Sequence, residues 1–304
     1  MLEELLKITE NVKIAEPLSK HTTIKIGGNG DFLVIAQNSQ EIVKLVTLAK
    51  ERNQPLLIIG NGSNLLVSDE GIRGIVIKIL NNKSTVSVDN QSITVFSGIM
   101  LSKLILWAVR NGYSGIEKLI GIPGTLGGAV VMNAGAMGRE IGELVQWVEV
   151  LDMDNLQIYK LNKDELSFSY RKSSLQRKNL VVLEVNLLLG QENPELLQQR
   201  VKETLKIRKV NQRINYPNAG SIFKNPPNFS AGKLIEQVGL KGYRIGDAQI
   251  STKHGNFIVN LGKAKAVEVM ELINLGRKEV FTNFGIKLEP EVKIVGGGLN
   301  LEEV

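Results

Sequence analysis

Residues 119–138, LIGIPGTLGGAVVMNAGAMG, carry no charge and hold six glycines in twenty positions. Each glycine in a helix interior costs about 0.8–1 kcal/mol relative to alanine. A membrane span of that length would be richer in large apolar side chains and would not be broken by Pro123. What this composition permits is close approach of the main chain to something large and anionic. Glycine accepts left-handed dihedrals and leaves N–H groups uncovered, so successive amides can converge on phosphate oxygens. Two shorter glycine loops precede it: Gly27-Gly28 after TTIKI, and Gly60-Asn61-Gly62-Ser63-Asn64 after the apolar LLII. Taken singly, each reads as an ordinary turn. The second lacks the third glycine of GxGxxG, and its continuation LLVSD has no helical period. No GxxxxGK[ST] occurs. Together, three glycine loops before residue 140 suit a large diphosphate cofactor better than three unrelated turns.

Ser221, in NAGSIFKNP, has no GxSxG context and no acid–histidine pair nearby in sequence. A hydroxyl without a base is a poor nucleophile, but it can still give a proton to a strongly basic carbanion. Taken alone, a turn or buried serine is the plainer reading. Glu291, in LEPEVKI, shares one strand face with Glu289 and Lys293, as a solvated sheet face would. Arg171, in FSYRKS, reads by itself as a surface charge.

The 304 residues carry 37 basic and 31 acidic side chains, a formal charge of +6, with the cations spread along the chain. Nucleic acid is therefore not an expected partner. The absence of cysteine excludes disulfides, thiolate metal sites and thiol nucleophiles. Only His21 and His254 could serve a histidine-based metal site or triad, and they lack HExxH spacing. No metal is expected. The opening MLEELLKITENVK is too acidic for a signal peptide, which leads us to expect a cytoplasmic protein.

Positioning these residues calls for mixed elements. The pattern predicts a helix capped at Ser39, strands over 56–59, 75–79 and 93–96, and a helix from Leu101 to Asn111 stopped by Gly112. Strands are predicted over 144–151, 156–161 and 180–189, then a long charged helix from Glu195 to about Arg213. The last third predicts helices at 230–238 and 263–281 and strands at 256–261 and 286–295. Without regular alternation of strand and helix, the fold class is α+β.

In order along the chain, IKIGG, IGNGSNLLV, GIPGTLGGAVVMNAGA, FSYRKSSL, NAGSIFKNP, HGNFIVN and EPEVKIVG resemble the UDP-N-acetylenolpyruvoylglucosamine reductase family, from about His21 to Gly296. The resemblance implies a two-part FAD-binding domain of the PCMH or vanillyl-alcohol-oxidase type over 1–200, with subdomains of about 1–80 and 81–200. A smaller α+β substrate-binding domain would follow over 201–304. It implies noncovalent FAD, NADPH as co-substrate, and reduction of an enolpyruvyl ether of UDP-N-acetylglucosamine to UDP-N-acetylmuramate for peptidoglycan synthesis. By position, the FAD contacts would be Gly27, Gly28, Gly60, Asn61, Gly62, Ser63, Asn64, Leu65, Gly121, Ile122, Pro123, Gly124, Thr125, Gly127, Gly128, Ala129, Asn133, Ala134 and Gly135. Arg171, Ser221 and Glu291 fall on the family's active-site positions, and Tyr170 and Asn225 on substrate positions. Lys209 and Lys224 are candidates for the nucleotide phosphates, with Arg208 and Gln212 in the same region. The 50-residue separation of Arg171 and Ser221 resembles the shorter subclass, without an inserted tyrosine-bearing loop. We expect a monomer that inserts into no membrane.

In those roles the residues make chemical sense. Hydride arriving at C3 of the enolpyruvyl group puts negative charge on C2 and the carboxylate. Arg171, and Glu291 if protonated, would stabilise that charge more than the substrate itself. Ser221 would then protonate C2. The alternatives are another FAD oxidoreductase of the same fold acting on an alcohol or sugar, and a nonenzymatic nucleotide-sugar binding protein.

Overall fold

The computed structural model describes residues 1–211 and 214–303. The chain forms two compact units that are not contiguous in sequence. The first takes Met1–Lys13, Phe32–Asn61 and Gly74–Asn211; the second takes Ile14–Asp31, Gly62–Arg73 and Gln212–Val304. A cut at 200/201 would fall inside the helix Pro194–Asn211, and two early segments go with the late part of the chain.

The first unit is built on a five-stranded antiparallel sheet. Its strand order is Ile158–Asn162, Val145–Asp152, Leu180–Leu188, Ser92–Phe96, Val86–Asp89. Pairing of Val148 with Val185 and of Leu187 with Ile93 sets the register of apolar residues. Val148, Val185, Leu187 and Ile93 join Leu104, Ile105 and Ala108 of the helix Leu101–Arg110 in one core. That helix ends where Gly112 takes φ +77°, as the sequence predicts. A four-stranded sheet runs in the order Val12–Pro17, Asn29–Ala36, Ile72–Ile79, Leu56–Ile59, with the last two parallel. A second core joins Ile75 and Ile77 of this sheet to Ile42, Leu45 and Val46 of the helix Ser39–Glu51. The cap of that helix is Asn38 and not Ser39. Asn38 lies in extended backbone, and its Oδ1 accepts the Glu41 N–H at 2.9 Å, a reach that Ser39, already helical, lacks.

The second unit has a three-stranded antiparallel sheet (Arg244–Ile245, Ala248–Ile250, Ile258–Asn260) and the helices Ala231–Gln237 and Ala266–Phe284. A parallel pair sets Leu65–Val67 beside Lys293–Val295. Its core joins Ile24, Leu66, Ile222, Ile235, Ile273 and Val292. The strand predicted over 286–295 forms only at Lys293–Val295. Leu288 and Val292 are buried as the alternation requires, but the backbone between them bonds to single partners instead of a continuous ladder. The helix predicted to end near Arg213 is described to Asn211; Gln212 and Arg213 lie outside the described residues. Among the described residues no helix is long and apolar enough to cross a membrane, and no group of three acidic or histidine side chains could hold a metal ion. The class is α+β.

Candidate active site

In the first unit the loop after Leu56–Ile59 meets the glycine-rich segment. A Cβ on Gly60 would stand 2.4 Å from Thr125 Oγ1, so only glycine fits there. Thr125 begins the short helix Leu126–Val131, its hydroxyl accepting the Gly128 N–H at 3.4 Å. Leu126 donates to the Ile99 carbonyl at 2.9 Å and Gly127 to the Ser97 carbonyl at 2.8 Å. These two first-turn amides are therefore spent within the protein. Gly128 is exposed, with only the Thr125 hydroxyl near its open side. Gly121 (φ +85°) lies under Arg208, whose Nη2 donates to the Gly121 carbonyl at 3.1 Å. Burial draws the Arg208 guanidinium below its ordinary pKa, though it stays charged. Lys209 beside it is exposed. Ile122 and Gly124 are half-buried and Pro123 exposed. Ala129 accepts the Ala134 N–H at 2.8 Å, and Gly135 pairs with Glu140.

Arg171 belongs to the same unit. Ser169 and Lys172 exchange backbone hydrogen bonds (3.1 and 2.9 Å), closing a tight turn. Arg171 occupies its third position at φ +55°, a left-handed conformation that costs a non-glycine residue roughly 1–2 kcal/mol. Its Nη2 donates to the Gly135 carbonyl at 3.0 Å, and Nη1 lies 3.8 Å from Glu140 Oε1. The guanidinium carbon sits 5.0 Å above the exposed Tyr170 ring. Asn133 lies beneath, fully buried.

The second unit gathers the remaining candidates. Gly28 packs so closely on the Asp69 carbonyl that a Cβ would come within 2.2 Å, and Gly27 abuts Val67. The Gly62 carbonyl accepts the Thr23 N–H at 3.1 Å, and Ser63 and Asn64 lead into the strand at Leu65. Asn64 Nδ2 donates to the Glu291 carbonyl at 3.0 Å. Glu291 in turn donates its N–H to the Ile222 carbonyl at 2.7 Å, and Phe223 bridges to Pro290. The half-buried Ser221 thus sits one residue from a direct backbone link to the half-buried Glu291. Lys224 pairs with Glu289 at 2.6 Å while its side chain is only 13% exposed. Asn225 is exposed, and its Oδ1 accepts the Ala231 N–H at 3.0 Å. The main organiser here is Asn256, whose side chain donates to the Phe223 carbonyl (2.8 Å) and accepts the Phe223 N–H (2.9 Å). Spacing within HGNFIVN gave no role for Asn256.

Both histidines are engaged: His21 Nε2 lies 3.0 Å from Glu16, and His254 Nδ1 accepts the Asn256 N–H at 3.1 Å.

Two family models match the chain: an FAD binding domain over residues 30–158, and the UDP-N-acetylenolpyruvoylglucosamine reductase C-terminal domain over 212–295. The UDP-N-acetylenolpyruvoylglucosamine reductase of Caldanaerobacter subterraneus subsp. tengcongensis is 44% identical over 295 residues, 97% of each chain. The protein named UDP-N-acetylenolpyruvoylglucosamine reductase 2 in Symbiobacterium thermophilum is 43% identical over 97% of this chain and 96% of its own. This chain belongs to the UDP-N-acetylenolpyruvoylglucosamine reductase family. The crystal structure of the Thermus caldophilus reductase superposes with TM-score 0.78 at 38% identity, covering 92% of this chain and 97% of that one.

Membership makes the chain an FAD-dependent oxidoreductase, and the reductase-specific match over 212–295 favours this family over other flavin enzymes. The first unit's residues fit such a cofactor. Ser97 Oγ, beside Gly127, is buried without a hydrogen-bond partner among the described residues. A buried hydroxyl left so is costly unless a bound group answers it. Gly128, next to Gly127, is exposed and leaves the adjoining main chain open.

Proposed function

We infer that this reductase converts the enolpyruvyl ether of UDP-N-acetylglucosamine to the lactyl ether, giving UDP-N-acetylmuramate with NADPH as the reductant. The observation that carries this reading is the backbone link from Glu291 to Ile222, with Asn64 of the glycine loop on the Glu291 carbonyl. It ties the backbone next to Ser221 to that of Glu291 and to the glycine loop within one unit.

Bound FAD supplies hydride chemistry; Gly27, Gly28, the loops 60–65 and 121–128, Ala129, Ala134 and Gly135 are the residues we assign to hold it. The chain's own residues manage charge and proton. Reduction at C3 of the enolpyruvyl group drives negative charge onto C2 and the adjoining carboxylate. Arg171, preset by its turn, stabilises that charge at no cost of reorganisation. Ser221 delivers the proton to C2, completing the addition of one hydride and one proton across the double bond. Its hydroxyl is a weak acid, which suffices because an enolate is a strong base. Glu291 orients the carboxylate end, and Tyr170, Asn225, Lys224 and Lys209 are assigned to the sugar nucleotide.

The test is anaerobic mixing in two steps. NADPH should bleach the bound flavin, and the enolpyruvyl nucleotide sugar should restore its absorbance. A flavin that bleaches but is not restored by this substrate overturns the reading.

A further inference from the structure

The motif resemblance places Asn133 among the FAD contacts, yet both of its side-chain donors are already taken. It is 1% exposed and sits at φ +44°. Its two amide protons go to the Ser169 carbonyl (2.8 Å) and to Glu140 Oε2 (2.7 Å), and its oxygen accepts the Gly142 N–H at 3.0 Å. A primary amide has two N–H donors and one carbonyl, so no side-chain donor is left for a ligand.

What Asn133 holds is the turn of Arg171. Ser169 opens that turn and Glu140 stands beside the guanidinium. A second clamp works from the other side. Gln176 Nε2 donates to the Arg171 carbonyl at 3.1 Å and to the Val131 carbonyl at 3.0 Å. Both clamps tie Arg171 back to residues 131–140, the same segment whose Gly135 carbonyl receives the guanidinium. Asparagine suits the inner position for two separate reasons. It tolerates left-handed backbone better than most side chains, and its neutral amide can donate twice. Aspartate would keep the shape but set a carboxylate against the Ser169 carbonyl and the Glu140 carboxylate.

We propose that Asn133 and Gln176 are positioning residues that hold Arg171 in its left-handed turn and aim its guanidinium. This rests on the charge-stabilising role assigned to Arg171 above. The placement of a group that must meet developing charge is sensitive, since a 1 Å error can cost roughly 10²-fold.

The test uses the holoenzyme carrying Asn133→Gly, which keeps the left-handed backbone and removes the side chain, Asn133→Asp, or Gln176→Ala. Each is made with Arg171 intact and with Arg171→Ala. Flavin content, thermal midpoint and the rate of bleaching by NADPH are measured first. The single-turnover rate of flavin return on adding the enolpyruvyl nucleotide sugar is measured next, with calorimetric binding of that sugar to the oxidised holoenzyme. We expect flavin content and bleaching to be unchanged while flavin return slows roughly 10–100-fold. In the Arg171→Ala background the same substitutions should cost less than about twofold, because they act through the missing side chain. Full additivity in that background, while Arg171→Ala alone is slow, overturns the positioning role and leaves the reading of Arg171 standing. An unchanged rate in Arg171→Ala overturns both. Should Asn133→Gly and Asn133→Asp fail to fold, the half-buried Gln176 carries the test, and loss of flavin from Gln176→Ala together with slowed bleaching also overturns it.

Discussion

Arg171 and Ser221 are expected to affect different atoms of one reaction, and single substitutions separate them from the reduction of the flavin. Ser221→Ala should leave bleaching by NADPH intact and slow flavin return by roughly 10²–10⁴-fold, the usual size of a lost proton donor. Equal slowing in both steps would remove Ser221 from that role. Arg171→Ala should slow flavin return by roughly 10²–10³-fold, as for a lost charge-stabilising donor; an unaltered stopped-flow trace would refute it. Neither residue could be picked out by spacing. FSYRKS looks like any charged surface turn, and what distinguishes Arg171 is its φ of +55° and its bond to the Gly135 carbonyl. Those are properties of residues brought together across the chain, and only the ordered motif set pointed to them beforehand.

Among the elements, the helix Ala266–Phe284 shows how far local signals reach. Its amphipathic pattern is readable in sequence, but the helix runs to Phe284, three residues past the predicted end, where Gly285 stops it at φ +66°. Its principal cap is not readable in sequence. The Asp69 carboxylate accepts the Ala266 and Val267 N–H groups at 3.0 and 3.2 Å from almost two hundred residues away. A carboxylate at a helix N-terminus answers open amides and the positive end of the dipole together. Asp69→Ala should therefore lower stability by about 1 kcal/mol, read as a reduced urea midpoint with unchanged slope. An unmoved midpoint would show the cap to be energetically idle. The prediction at 286–295 erred for a related reason: alternation sets which side chains are buried, but the ladder depends on what runs alongside. Here that is the Ser221 segment, which meets Glu291 through a single carbonyl.

For the molecule as a whole, pH enters through His254. Burial pulls its imidazole below the ordinary 6.5, Lys241 adding to this and Glu236 opposing it. Its Nδ1 accepts the Asn256 N–H, and its ring packs edge-on against Phe257; both require the neutral form or tolerate it best. The folded state thus binds this proton less readily than the unfolded one. Its contribution is complete above about pH 6.5 and is lost as pH falls toward the depressed folded value. The thermal midpoint should decline below that pH, and His254→Gln should flatten this part of the profile; parallel profiles for the two proteins would count against it. The sequence alone determined the α+β class, the glycine loops, the longer helices, part of the strand set without Val12–Pro17 or Asn29–Ala36, and the family, because periodicity, turn chemistry and ordered motifs are local or linear properties. Tertiary structure decided that residues 14–31 and 62–73 belong with the last ninety residues, that Asn133 holds the turn of Arg171, and that Asn256 and Asn64 brace Phe223 and Glu291. Those depend on hydrogen bonds between distant segments, whose partners no local pattern specifies.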